Sequence, residues 1–377
     1  MPVTIKEIAT RRELKEFIRF PDRLYAGNPY RVPPFRFAEL INLRRDKNPA
    51  FEFCDVKFWL ACRDGKTVGR IAGIINARYI EKWGNKYARF GWIDFIDDEE
   101  VSGALLRTVE TWAREKGMQG VHGPLGFSDL DPEGMLVEGF QEMGTLQTLY
   151  NHPYYPVHME KHGYRKDVDW VEFELYALPP EEHEKLRRIA DVVVKRNKLT
   201  TVTLKKGKDI LPYARGIFAV LNEAFEGLYG VVSLTDKQID FYIDQFLGFI
   251  RPDYVSIVLD EAGKVGAFGI TLPSLSRAAQ KAGGRLFPFG IFHIYKAMKK
   301  NDTVDLCLIG VRPDLQGKGV NAVMMRQVTD ILVNHNIIRA ETNHELEDNS
   351  RVQNQWKFYK HRQHKRRRCF IKCSIAE

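Results

Sequence analysis

"VRPDLQGKGVNAVMM", residues 311–325, sets Gly317 and Gly319 around Lys318, after an apolar strand-like run and before a helix-like one. Glycines at a turn let successive backbone N–H groups converge on an anion, and a following helix N-terminus adds its positive end. Lys318 brings further charge, the helix from about Val320 points its N-terminus at the loop, and no large side chain bars the approach. The stretch reads as a cradle for a phosphate, and the chain around it decides whose.

Three phosphate motifs compete. A Walker A loop fails, because Arg312 and Gly319 stand at its two diagnostic positions. A dinucleotide fingerprint G-x-G-x-x-G/A matches Gly317, Gly319 and Ala322, and Glu341 ends the next strand, where a ribose-binding acid belongs. Two features oppose it. The glycines lie well beyond Val311, with Pro313 between, where a dinucleotide turn is tight. The strands before it are joined by a hairpin, which makes antiparallel pairs. The third motif, Q/R-x-x-G-x-G/A, takes Gln316 and Gly319, with Asn321 at its last position.

Working outward, the chain is written twice. Residues 56–76 and 254–272 both read as strand, turn, strand, and both second strands open with Val-Gly, at Val68-Gly69 and Val265-Gly266. "FGWIDFID" (90–97) and "VDLCLIGV" (304–311) follow as strands. Residues 101–117 and 320–336 then repeat apolar positions at helical spacing. "MQGVHGP" and "IIRAETN" are short strands, "YYPVHMEKHGYR" and "RVQNQWKFYKHRQ" helices, and "DWVEFELY" and "RCFIKCSI" terminal strands. The prediction is an α/β (α+β) chain of two tandem domains, 1–178 and 179–377, each a mixed, mostly antiparallel sheet flanked by helices. The boundary falls at Pro179-Pro180, a breaker, with Glu181 and Glu182 favouring a helix N-terminus.

At the Gln316 motif the chain resembles the GNAT superfamily of N-acetyltransferases. The likeness is close over "IGVRPDLQGKGVNAVM" and general over the element order of 200–377. The resemblance implies that Ile309, Gly310 and Val311 meet the pantetheine of acetyl-CoA or another acyl-CoA. Gln316, Gly317, Lys318, Gly319, Val320 and Asn321 would hold its pyrophosphate. Asn321 departs from the usual Gly or Ala. The equivalent place in the first half is Asp97, Asp98, Glu99 and Glu100, which stabilise a helix N-terminus and repel a pyrophosphate. The first domain thus reads as a degenerate copy without the cofactor loop.

Acyl transfer to an amine needs a donor to the thioester oxygen, a base for the amine and an acid for the thiolate. The resemblance implies a backbone donor near a strand bulge around Ile309–Val311. Glu341 is the base candidate, with Glu345 and Glu347 as alternatives. Family members carry an Asn followed seven residues later by a Tyr as acid. Asn349 leads to Trp356 instead, and Tyr359 lies about one helical turn on. Met159 stands at the comparable place in the first domain. The expected activity is an acyl-CoA-dependent N-acyltransferase acting by direct attack of an amine-bearing small molecule or peptide. The alternatives are a binding or scaffold protein that has kept the fold and lost turnover, and a nicotinamide-dependent oxidoreductase.

Other features weigh less. The five cysteines, Cys54, Cys62, Cys307, Cys369 and Cys373, show no C-x-x-C pattern, so neither a metal nor a disulfide is expected. The opening "MPVTIKEIATRRELKEF" lacks the apolar run of a secretory signal and no long apolar segment spans a membrane, so the expected place is the cytoplasm. "HKRRRC" (364–369) is expected to cap the last helix rather than bind nucleic acid, since no aromatic platform accompanies it. The insert 276–302 carries Phe287, Phe289, Ile291, Phe292, Ile294, Tyr295 and Met298. It reads first as a helix packed at the domain interface, then as an acceptor lid or apolar groove, then as a peripheral membrane contact. The carboxylates of loop 123–140 read as helix caps or an amine receiver.

Overall fold

The computed structural model describes residues 2–246 and 248–375. They form two compact units, one of residues 1–171, 276–293 and 365–377, the other of 172–275 and 294–364.

The first unit opens with β1 (Thr4–Glu7), α1 (Arg11–Leu24) and α2 (Arg36–Asn42), followed by β2 (Cys54–Arg63) and β3 (Lys66–Asn76). Asp64 and Gly65, at φ 53° and 72°, make the tight two-residue turn of this hairpin, a conformation an Asp-Gly pair adopts cheaply. Next come α3 (Ala77–Trp83), β4 (Tyr87–Phe95), α4 (Glu99–Glu115), β5 (Gly120–Gly123), β6 (Met135–Glu138), α5 (Tyr154–Lys161) and the start of β7 (Arg165–Tyr176). The alternation along β2 is clean. Trp59 and Ala61 pack with Leu105, Val109 and Trp112 of α4, while Val56, Phe58 and Leu60 pack with Phe17 of α1. Period-two burial on both faces places the sheet between two helical layers.

The second unit takes the end of β7, then α6 (Pro180–Arg196), β8 (Thr200–Thr201), α7 (Leu211–Phe225), α8 (Asp236–Phe246), β9 (Val255–Leu259) and β10 (Val265–Pro273). The insert holds α9 (Ser276–Ala282) and α10 (Gly290–Lys299). β11 (Thr303–Val311), α11 (Val320–Asn334), β12 (Arg339–Thr342), β13 (Glu345–Leu346), α12 (Ser350–Gln353) and β14 (His361–Cys373) follow. The strand order is β8-β9-β10-β11-β12-β7, antiparallel except for the β11–β12 pair.

Four expectations are corrected. The units do not divide at 178/179. The chain passes from the first to the second inside β7, and residues 276–293 and 365–377 return to the first. The terminal strands do not close their own halves. β5 pairs with the end of β14 (Gly123↔Phe370), and β12 pairs with the end of β7 (Ala340↔Leu175). Strand partners are chosen by long-range hydrogen bonding, which local pattern does not reveal. The helix expected over 351–363 is only α12 and a 3₁₀ turn at Asn354–Phe358, after which β14 begins. "HKRRRC" lies within β14 and caps no helix; Arg368 donates to Asp169 at 2.8 and 3.0 Å, and Lys365 and Arg367 are buried.

Candidate functional site

The second unit contains a strand that loses its neighbour midway. β11 and β12 run parallel from Thr303↔Arg339 to Leu306↔Thr342 and then part, while β11 stays paired with β10 up to Val311. A register shift leaves Cys307 as the extra residue of a bulge, since Thr271 faces Leu306 and Ile270 faces Leu308. The bulge therefore precedes the Ile309–Val311 stretch where it was expected. Asn343 bridges the fork, its N–H donating to the Leu306 carbonyl at 3.1 Å and its Nδ2 to that of Cys307 at 3.4 Å. Leu306 to Ile309 are only half-buried in a central strand, as an open cleft requires.

Beyond the fork, alternation sets what the free edge offers. Arg312 N–H donates to the Gly266 carbonyl at 2.8 Å, so Ile309 and Val311 turn their backbone groups the other way, along the splay. Gln316 Nε2 donates to the Val311 carbonyl at 3.0 Å and ends that edge. The loop then turns through Gly317 at φ 73° and Gly319 at φ 83°, into α11. No side chain caps α11; the Ala322 N–H turns back to the Gly319 carbonyl at 2.9 Å, which leaves the Val320 and Asn321 amides for a ligand or water. Lys318 and Asn321 are exposed beside them. Arg312 holds the approach in shape, bound to Asp314 at 2.6 and 3.0 Å and to Asp260 at 2.8 Å. Those carboxylates hold its guanidinium far above its ordinary pKa, and it holds theirs low. β10 is antiparallel to both β9 and β11, which corrects the dinucleotide alternative: that fold needs parallel strands joined by crossovers.

The side-chain candidates separate. Glu341 lies in the paired part of β12, opposite Asp305 and Glu174, with His364 Nε2 3.3 Å from its carboxylate. Glu345 lies past the fork, in β13. Its carboxylate accepts from Trp356 Nε1 at 2.9 and 3.0 Å. Desolvation pushes Glu345 up to about 8, against the lowering effect of Trp356 and Thr342. Glu347 is half-buried on the turn that follows. Asn349 is used locally, accepting from Val352 N–H at 3.4 Å as the cap of α12. Tyr359 is 3% exposed and its hydroxyl is engaged by α11, sharing a hydrogen bond with Thr329 Oγ1 at 2.7 Å and donating to the Met325 carbonyl at 3.1 Å. Burial pushes it up to about 12. This corrects the expectation of a presented acid: Tyr359 stands as a packing residue. The Glu345–Trp356 contact had no local signal, because nothing near either residue announces the other.

The first unit's counterpart is closed by its own side chains. Ile96 N–H donates to the Val68 carbonyl as Arg312 does to Gly266, so Phe95 corresponds to Val311. The Phe95 N–H donates to Tyr155 Oη at 3.0 Å, and its carbonyl accepts from Tyr154 Oη at 2.6 Å. The edge that is open in β11 is therefore occupied in β4. Asp98 caps α4, accepting from the N–H groups of Glu100 and Val101, and Arg63 and Lys161 pair with Asp98, Glu100 and Glu99. In loop 123–140, Asp131 accepts from the Phe127 and Ser128 N–H groups and from Asn42; no helix starts there, so it braces the loop where a helix cap was expected.

No family model matches the chain. It is 28% identical over 364 residues to a protein named bacterial ceramide synthase from Caulobacter vibrioides (strain NA1000 / CB15N), covering 92% of this chain and 91% of that one. It is 27% identical over 356 residues to Protein YghO of Escherichia coli (strain K12), covering 93% and 90%. Among solved structures it resembles a tandem GNAT protein from the clavulanic acid biosynthesis pathway, with a TM-score of 0.56 at 11% identity, covering 100% of this chain and 99% of that chain. It also resembles a probable N-acyltransferase from Enterococcus faecalis V583, with a TM-score of 0.53 at 10% identity, covering 100% and 73%. The fold is thus the GNAT fold built in tandem, and its second copy keeps the forked strand and glycine loop that its first copy closes.

Proposed function

We propose that this protein is an acyl-CoA-dependent N-acyltransferase whose donor binds the second unit. The observation that carries the reading is the path from the free β11 edge at Ile309 and Val311, through the positive-φ turns at Gly317 and Gly319, to the start of α11, which no side chain caps. An anionic, diphosphate-bearing ligand with an amide-rich arm suits that path. Gln316 to Asn321 would hold the pyrophosphate, with Lys318 supplying charge. The co-substrate supplies an activated thioester, and the amine attacks its carbonyl directly as the C–S bond breaks.

The chain's own part is positioning and proton transfer. A backbone amide of the splayed edge donates to the oxygen that gains charge. Glu345, pushed up to about 8 by desolvation, takes the proton from the attacking amine. Trp356 holds that carboxylate in place. With Tyr359 turned into the core, the thiolate takes its proton from water or from Glu345 after the amine has given it up. The relative named as a ceramide synthase supports a long-chain acyl donor and a long-chain amine acceptor ahead of acetyl groups, because a ceramide is a long-chain amine carrying an N-acyl chain.

Thermal unfolding with coenzyme A, acetyl-CoA, palmitoyl-CoA and NADH at matched concentration tests the donor, since ligands of the folded state raise the midpoint. Thiol release with a panel of short and long-chain amines tests turnover. A midpoint raised by NADH alone would sink the reading. A coenzyme A shift without thiol release from any amine would favour a binding protein.

A further inference from the structure

Residues 276–293 give the first unit an exposed aromatic edge beside a basic groove. Phe287, Phe289 and Phe292 keep 74%, 71% and 66% of their surface exposed, and Ile291 keeps 44%. Large apolar side chains clustered so densely in water mark a surface made to be covered. The segment is held in this pose. The Gly284 carbonyl accepts from Arg36 N–H at 3.0 Å, and Gln280 Nε2 donates to the carbonyls of Pro29 and Arg31 at 2.8 and 3.0 Å. Ile291 and Phe292 donate their amides to Leu286 and Phe289 at 2.7 and 3.2 Å.

The adjoining groove, about 1630 Å³, is lined by Arg19, Arg23, Arg31, Arg36, Lys281 and Arg285, with Asp22 as its carboxylate. Asp22 pairs with Arg31 and Arg36, and Glu16 pairs with Arg23. Arg19, Lys281 and Arg285 are exposed and have no ion pair among the described residues. Projecting rings flanked by uncommitted cations match one kind of surface. A bilayer takes apolar side chains into the boundary between head groups and acyl chains, and anionic head groups meet the cations around them. A nucleic acid would also suit the cations, but it would leave the rings uncovered.

We propose that this edge docks the protein on an anionic lipid bilayer, with Phe287, Phe289 and Phe292 entering the head-group layer while Arg19, Lys281 and Arg285 meet lipid phosphates. No helix among the described residues is long and apolar enough to cross a membrane, so the contact is peripheral. The inference does not rest on the acyltransferase reading.

The test is co-sedimentation of the full chain with vesicles of phosphatidylcholine alone or mixed with phosphatidylglycerol. Binding is expected to the mixed vesicles, weakening as salt is raised. A Phe287→Ser, Phe289→Ser, Phe292→Ser variant should bind about tenfold or more weakly, given how strongly buried apolar area sets interfacial affinity. Arg19→Glu, Lys281→Glu, Arg285→Glu should lose the preference for phosphatidylglycerol. Both should keep the wild-type melting midpoint, because these side chains are exposed. Phe289→Trp offers a second readout: its emission should shift to the blue only with the mixed vesicles. Absence of wild-type binding, equal binding to both vesicle types, or binding untouched by the serine variant would each overturn the proposal. So would a wild-type dimer that the serine variant turns into a monomer, which would assign the edge to a second copy of the chain.

Discussion

The Trp356 indole N–H is shared between both oxygens of the Glu345 carboxylate, at 2.9 and 3.0 Å. The carboxylate is thereby fixed beside the fork of β11 and β12 in an environment that disfavours its charge.

The charge of Glu345 should be visible in both stability and rate. Its pKa rises from 4.5 to about 8 on folding, so between those values the unfolded chain is ionised while the folded one keeps its proton. Stability from this group is full below 4.5 and is lost as pH rises through about 8. Glu345→Gln should therefore melt increasingly above the wild type as pH rises through that window. Thiol release should rise in the wild type as pH passes about 8, and Glu345→Gln should lower it by about a hundredfold and abolish that limb. Equal melting curves for both proteins across the window would contradict the assignment.

Trp356→Phe keeps the ring and removes the donor. It should move the alkaline limb of the rate to higher pH, because the indole bond is one of the interactions that lower Glu345. A hydrogen bond to a charged group contributes roughly 1.5–3 kcal/mol. The midpoint of the pH–rate curve is the measurement.

Gly319→Ala tests the loop. Gly319 sits at φ 83°, and an added Cβ would stand 3.0 Å from Val193 Cγ2. The left-handed conformation costs a non-glycine residue about 1–2 kcal/mol. Stability should fall by that order, and the coenzyme A shift should shrink as the loop distorts. Denaturant unfolding with and without coenzyme A separates the two effects.

Tyr359→Phe distinguishes packing from acid catalysis. Loss of its hydroxyl contacts with Thr329 and Met325 should cost about 1 kcal/mol of stability. The rate of thiol release should stay within about twofold of wild type, where loss of a proton donor would cost a hundredfold or more.

Much of the chain could be read locally. The turn at Asp64-Gly65, the Val-Gly pairs near the starts of β3 and β10, and the glycines ahead of α11 all act within a few residues of themselves. The acidic run at Asp97–Glu100 told apart the two copies, and Tyr154 and Tyr155 complete that difference by bonding the Phe95 edge. The tyrosines escaped notice because their partner lies about sixty residues away.

By itself, then, the sequence determined the repeated element order, the position of the glycine loop and the acidic run that stands at the equivalent place in the first copy. Each follows from backbone conformational preference or short-range charge. Only the tertiary structure decided that the closing strands exchange units, that Tyr359 turns inward and that Glu345 meets Trp356. Those outcomes depend on which distant groups are desolvated together, and burial energy has no signature in local spacing.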